Sequence, residues 1–336
     1  MISNAASGLI SGARHGIAGV ALNSGASFVA GVSNLAGGII QGNNGSGFNF
    51  DGFNALQLVT VYNQGSIIGH GVTGDGDGID VDGLVAINNS GVIRSVNAFS
   101  AAGSSLTISG GHASVLGNLD GGAWLGNTLS IEPGAGQQFS YADSIANFAS
   151  VEIKGGTVAL SGVSSYTGST IISGGTLVLA SSNRLAAGSA LELAGGPLQI
   201  DGASGVNGQS FASLSLSADS TLQLNGSALT FGKLGTIGSG AAFAVLGYEG
   251  NAAPSASTGY ALRLLGDYSA DASFLKLLAA THINGGTAGS HFDGVYTDIT
   301  AAVPEPQSYA MLLAGLGLTG PVTRRRQRRR PICQAS

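Results

Sequence analysis

The sequence predicts an all-β chain: a right-handed parallel β-helix, or β-solenoid, with a C-terminal β cap and a short C-terminal transmembrane helix. Three observations carry that expectation. A pattern of Asn, Gly and Ile recurs every 26 to 30 residues through the first hundred positions. A shorter turn-and-strand unit then recurs at steps of 19, 21 and 24 residues. From Val303 the chain changes character, to a Pro-Glu-Pro triplet, an apolar run and an arginine cluster.

The long repeat reads as a β-branched residue, any residue, Asn, a short spacer, then Gly-x-Ile. It appears as Ile2-Ser3-Asn4 to Gly8-Leu9-Ile10, as Val32-Ser33-Asn34 to Gly38-Ile39-Ile40, as Val61-Tyr62-Asn63 to Gly65-Ser66-Ile67, and as Ile87-Asn88-Asn89 to Gly91-Val92-Ile93. One coil of a parallel β-helix has this length, with two or three short strands facing the core and Gly or Asn taking φ > 0 at the corners. Equivalent side chains of stacked coils lie one strand spacing apart, so the asparagines can form a ladder. They are read as turn residues rather than as ligands.

The short repeat is Lys154-Gly155-Gly156-Thr157-Val158-Ala159-Leu160, echoed by Ser173-Gly174-Gly175-Thr176-Leu177-Val178-Leu179. Weaker copies start at Ala194 and Ala218. Each is a turn followed by alternating apolar positions, the mark of a strand with one buried face. Residues 1–235 are therefore assigned to the solenoid. Residues 236–302 hold apolar runs (Ala241 to Tyr248, Gly259 to Tyr268, Ala272 to His282) without a clean repeat, and are assigned to a cap of a few strands covering the last coil.

Composition agrees. Of 336 residues 57 are Gly and only 9% are charged, while 43% are hydrophobic, too much apolar surface for a disordered chain. Six of the ten arginines lie between 324 and 330, so residues 1–322 hold seven basic and eighteen acidic residues, a net charge of −11. A body that acidic repels a phosphate backbone, which excludes nucleic acid as the expected partner. The single Cys333 permits no internal disulfide.

The stretch Ser165-Tyr166-Thr167-Gly168-Ser169-Thr170-Ile171-Ile172-Ser173-Gly174-Gly175-Thr176-Leu177-Val178-Leu179 resembles the autotransporter-associated β-strand repeat, a Tyr-Thr-Gly-x-Thr strand, a turn and a Gly-Thr-Leu strand. Upstream, Gly74-Asp75-Gly76-Asp77-Gly78-Ile79-Asp80-Val81-Asp82-Gly83 with its Asn-x-Gly-x-Ile flanks looks like the passenger coils of the same proteins. The likeness covers roughly residues 1–235 and departs from the family in leaving no room for a C-terminal outer-membrane barrel.

In the tail, Val303-Pro304-Glu305-Pro306 precedes the apolar run Met311 to Gly320 and then Arg324, Arg325, Arg326, Arg328, Arg329 and Arg330. As a helix, residues 306–323 would span about 27 Å at 1.5 Å per residue, slightly less than a hydrocarbon core of about 30 Å. The arginines would stop transfer and fix their end in the cytoplasm. This order resembles the PEP-CTERM sorting signal, here residues 303–330 with a tail of 331–336. The resemblance implies a Gram-negative exported protein, held transiently in the inner membrane and recognised there by an exosortase. The enzyme removes the helix near Pro304-Glu305-Pro306 and releases the body to the cell surface or extracellular matrix. The partners so implied are the exosortase, the export machinery, and exopolysaccharide or cell-surface glycan. Met1 to Val20 holds no basic segment followed by an apolar one, and the first repeat begins at Ile2. The reading frame is therefore expected to start inside the solenoid, downstream of an export signal.

Chemistry is sparse. His70 and the carboxylates Asp75, Asp77, Asp80 and Asp82 prompt a polysaccharide-degrading reading. However, the chain offers no Asn-x-Asp, no Asp-Asp pair and no Arg-x-Lys for an acidic sugar, and glycoside hydrolysis needs a positioned acid and base. No catalytic residue is assigned and the protein is expected not to be an enzyme. No cofactor is assigned; Asp75, Asp77 and Asp80 are the calcium candidates, with oxygen donors at tight spacing. The expected role is a structural or adhesive surface protein, with a carbohydrate- or ice-binding module as the alternative.

Overall fold

The Asn-Gly-Ile pattern folds as its spacing requires, because the four asparagines stack. They end the strands Ile2–Asn4, Phe28–Asn34, Gln57–Asn63 and Val85–Asn89, which pair in parallel with Asn4, Asn34, Asn63 and Asn89 in register. All four side chains are buried. The Nδ2 of Asn4 donates to Oδ1 of Asn34 (2.9 Å), that of Asn34 to Asn63 (2.8 Å), and that of Asn63 to Asn89 (2.8 Å). Each of the last three also closes its own turn, onto the carbonyls of Gly38, Gly65 and Gly91. Those turns stack closely: a Cβ on Gly65 would sit 2.1 Å from the Gly38 carbonyl oxygen, and one on Gly91 the same distance from that of Gly65.

The computed structural model describes residues 1–302 except 22–26, 53, 55, 72–75, 100–102, 123–124, 202–207 and 250–261. Residues 1–301 form one compact unit, an all-β solenoid with parallel sheets on its faces. The sheet that carries the asparagines has eleven strands, ending at Leu234–Ile237. Beyond Asn89 the same inward column continues as Ile108, Ile131, Ile153, Ile172, Leu193 and Leu216. The steps fall from 30, 29 and 26 residues to between 19 and 23 at this point.

The second sheet shows how the coil shortens. Each of the first three coils gives it two short strands separated by a corner loop, as in Ser66–Gly69 and Ile79–Val81. In the fourth coil one strand, Val92–Phe99, pairs with both: Ile93 lies beside Ile67 and Val96 beside Ile79. A bulge at Ser95, with φ of 56°, replaces the whole loop. A third sheet takes over from Gln138–Tyr141 and stacks the short repeats in the register that their sequence alignment gives. Val158, Leu177, Leu198, Leu222 and Val245 form its inward column.

Within residues 236–302, parallel stacking continues through Phe243–Leu246 to Thr281–Ile283. Antiparallel pairing begins at a two-residue turn of left-handed residues, Asn284 (φ 49°) and Gly285 (φ 84°). The hairpin of Gly286–Phe292 and Tyr296–Ala301 bonds to Thr281–Ile283 on one side and Leu262–Leu265 on the other, so the last coil keeps no open edge there. The run from Ala272 was expected as strand. It is instead the helix Ala272–Ala280, capped by the Asp271 carboxylate, which accepts from Phe274 N (2.8 Å). Phe274 and Leu277, three residues apart, are its buried pair, a helical period that apolar content alone conceals.

The ladder generates a test. Asn63→Ala removes the ladder bonds to Asn34 and Asn89, leaving the Asn34 amide only its bonds to backbone carbonyls and the Asn89 side-chain carbonyl only the Gly91 N–H. At roughly 0.5–1.5 kcal/mol net for each hydrogen bond lost, the loss should be about 2 kcal/mol. Urea denaturation followed by circular dichroism measures it; a loss below about 0.5 kcal/mol would show that the ladder is not stabilising.

Candidate functional site

Places in the described body where function could reside include its outer faces, its acidic loop and its cap. The outer face of the eleven-stranded sheet carries two in-register columns. One runs Thr60, Ala86, Ser105, Thr128, Ser150, Ser169, Ala190 and Ser213; the other runs Tyr62, Asn88, Thr107, Ser130, Glu152, Ile171, Glu192 and Ser215. Alternation forces this, because the neighbouring positions point inward into the aliphatic columns. Small neutral residues dominate. Glu152 is held by Ser173 Oγ (2.8 Å) and Lys154 Nζ (3.4 Å), and Glu192 by Ser217 Oγ (3.1 Å). Threonines are scattered across both columns rather than repeated in one.

Of the acidic loop, Asp77 and Asp80 are described and Asp75 lies outside the described residues. Asp80 lies on the strand Ile79–Val81 beside Asn49. Asp82 Oδ2 accepts from the backbone N–H of Gly52 (2.9 Å), and His70 Nδ1 lies 3.0 Å from the Gly42 carbonyl oxygen. These contacts are those of turn residues. Among the described residues no three His, Cys, Asp or Glu side chains are grouped so as to hold a metal ion.

The cap holds the densest charge. Arg263 on Leu262–Leu265 donates from Nε to Asp298 Oδ1 (3.1 Å) and from Nη2 to Asp293 Oδ2 (3.0 Å), and its guanidinium lies 4.3 Å from the ring centre of Tyr296. Asp298 is fully buried, and its Oδ2 has no hydrogen-bond partner. Burial raises the Asp298 carboxyl above its ordinary range, against the opposing pull of Arg263 and His291. Asp293 is exposed and lowered by hydrogen bonds from the N–H groups of Tyr296 and Val295. Burial also raises the hydroxyls of Tyr141 and Tyr166. Nothing in the sequence brought these three charges together. They meet only through antiparallel register, Arg263 beside Asp298 and Asp298 beside His291.

The tail residues singled out from sequence, Val303, Pro304, Glu305, Pro306 and the arginines 324–326 and 328–330, lie outside the described residues, as does the expected transmembrane helix. Among the described residues no helix is long and apolar enough to cross a membrane. Residues 302–329 match the PEP-CTERM protein-sorting motif. No curated protein and no solved structure matches the chain. The motif implies an exported protein that an exosortase recognises and sorts to the cell surface.

The cap gives a pH test with a defined sign. A carboxyl whose folded pKa is raised costs stability while ionised, and relieves that cost as pH falls through the folded value. As pH falls from neutral into the carboxylate range, protonation of Asp298 should therefore increase hydrogen-exchange protection of the hairpin 286–301. Asp298→Asn should flatten that dependence. Asp293 acts in the opposite sense and only lower, its contribution being lost as pH falls through its lowered pKa. Protection that drops over that fall in pH in both proteins would contradict the assignment.

Proposed function

We propose that this chain is a non-enzymatic structural or adhesive protein of the cell surface and exopolysaccharide matrix, delivered there by exosortase processing of its C-terminal signal. The supporting observation is the sorting motif over residues 302–329, which follows directly on the last cap strand, Tyr296–Ala301. A solenoid needs no cofactor or disulfide to persist outside the cell, since its stability is summed over coils and the interfaces between them. Its outer columns of Ser, Thr, Ala and Asn suit many weak polar contacts with hydrated polymer. The sequence likeness to autotransporter passenger strands points the same way. The anchor is proposed to be transient, with the helix left behind in the inner membrane.

The ice-binding alternative asks for threonines repeated in one column, and the columns here mix Thr with Ser, Ala, Glu and Ile. A degradative enzyme asks for carboxylates held across a groove; Asp82 is instead spent on the Gly52 turn. No calcium is assigned to Asp77 or Asp80 in the proposed role.

Co-expression with an exosortase in a Gram-negative host tests the reading, using a fused export signal. The extracellular protein should lack the arginine cluster, seen by mass spectrometry as a C-terminus near Pro304. Pro304→Ala combined with Glu305→Ala should leave uncleaved protein in the membrane fraction. An extracellular protein that keeps Arg324 to Arg330 would refute processing.

A further inference from the structure

At the corner of three successive coils, Gly122 and Leu125, residues 147–149 and residues 165–168 line a groove of about 490 Å³. Its lining includes the buried Phe148 and Tyr166, the rim residues Leu125 and Asn147, and the hydroxyl-bearing Ser165 and Thr167. The volume is in the range of small-ligand sites. We propose that this groove binds a neutral oligosaccharide, an inference that deepens the matrix role proposed above and rests on it.

Hydrogen bonds among the described residues hold the corner before any ligand arrives. The buried Asn127 donates to the Gly121 carbonyl (2.6 Å) and accepts from Ser104 N (2.9 Å). The Tyr166 hydroxyl is tied to Thr170 Oγ1 (2.7 Å), itself bonded to Ser189 Oγ (3.1 Å), so the ring cannot swing. Glycine lets the loops nest: a Cβ on Gly168 would sit 2.3 Å from the Ala149 carbonyl oxygen, and one on Gly121 would sit 2.5 Å from that of Asn147. A preformed site avoids the ordering cost of binding.

The rim has the chemistry of a sugar contact. Leu125 is 87% exposed, an apolar residue that packing in the solenoid does not explain. Asn147, in the left-handed region at φ 60°, donates from Nδ2 to Asp120 Oδ1 (2.7 Å), which also accepts from Gly122 N (2.8 Å). That pairing fixes both planar groups and uses neither Asn147 Oδ1 nor Asp120 Oδ2. A pyranose offers the complement: vicinal hydroxyls for the amide, carboxylate and Ser and Thr hydroxyls, and an apolar C–H face for Leu125. Among the described residues, the lining carries no charged side chain. A polyanion would gain no cation there and would approach Asp120 on an acidic body; a cationic peptide would find that one carboxylate already engaged.

Isothermal titration of the full-length protein with cellohexaose, xylohexaose, maltohexaose and laminarihexaose, against hexagalacturonate, tests the proposal. At least one neutral hexasaccharide should bind, and hexagalacturonate should not. Asn147→Ala and Leu125→Ser should each weaken binding about tenfold, with circular dichroism unchanged. Thr107→Ala, on the outer column of the eleven-stranded sheet, should leave it unaltered. Binding by none of the neutral sugars, or equal binding by the groove variants, overturns the site; preference for hexagalacturonate overturns its chemistry. Failure of C-terminal processing with sugar binding intact would count against the proposed function alone.

Discussion

Parallel register governs this molecule. Strands of successive coils lie about 4.8 Å apart, and each side chain sits directly over its counterpart one coil away. A residue is therefore chosen for its column as much as for its coil. An apolar column is self-compatible at any aliphatic size, as the run from Ile108 to Leu216 shows. A polar column inside the core must be self-satisfying, and asparagine meets that condition because one amide both donates and accepts. The ladder from Asn4 to Asn89 is directional, each Nδ2 feeding the next Oδ1, and it ends where Asn89 turns its own donor back to Gly91. Ile108 can follow because Asn89 asks nothing further of it.

The change of column coincides with a change of cross-section, through the corner that Val92–Phe99 straightens. Wide coils with two strands around that corner give way to narrower ones, and the second sheet is succeeded by the third. The groove lined by Leu125, Asn147 and Thr167 lies just after this transition. Uniform coils stack flush and make flat faces; a concave feature needs neighbouring loops that differ. In this sense the proposed sugar site is a by-product of the shortening, fixed in place by Asn127 and by glycines whose missing Cβ atoms let the loops close up.

Much of the architecture was legible because column logic leaves a trace in sequence. The asparagine spacing gave the wide coils, and the short turn-and-strand repeat aligned Val158, Leu177, Leu198 and Leu222 as they stack. The tail motif was legible from the order of its three parts. The change of column at Ile108 left no trace, since an isoleucine in a strand signals burial and not which neighbour it replaces. The helix Ala272–Ala280 was read only as apolar, although Asp271 with Phe274 and Leu277 carries a cap and a period. Arg263, Asp293 and Asp298 are 30 and 35 residues apart across the chain, and their meeting depends on antiparallel register that no local pattern encodes. The groove was invisible for a related reason: Leu125, Asn147 and Thr167 belong to three coils, and only Thr167 lies in a motif, one that was read as a strand repeat.

The two ends of the proposed role make different physical demands, and the chain separates them. Sorting needs a short apolar segment and a cationic stop, so nearly half of all basic residues are concentrated between 324 and 330. The body needs to remain soluble and unattracted to anionic lipid and nucleic acid, and its net charge of −11 opposes both. Removing the tail would therefore leave a more acidic protein than the one that was synthesised, repelled from an anionic membrane such as the proposed anchor would enter. Such a protein gains little from one strong contact with a neutral polymer. A shallow, uncharged groove binds a sugar chain weakly, but a polysaccharide presents many equivalent units and a surface presents many copies of the protein. Each further engagement is then intramolecular, and the effective concentration supplied by the polymer multiplies weak contacts into lasting attachment. Weakness at the single site is consistent with a matrix component, because it lets attachment be shared, exchanged and remade along the chain.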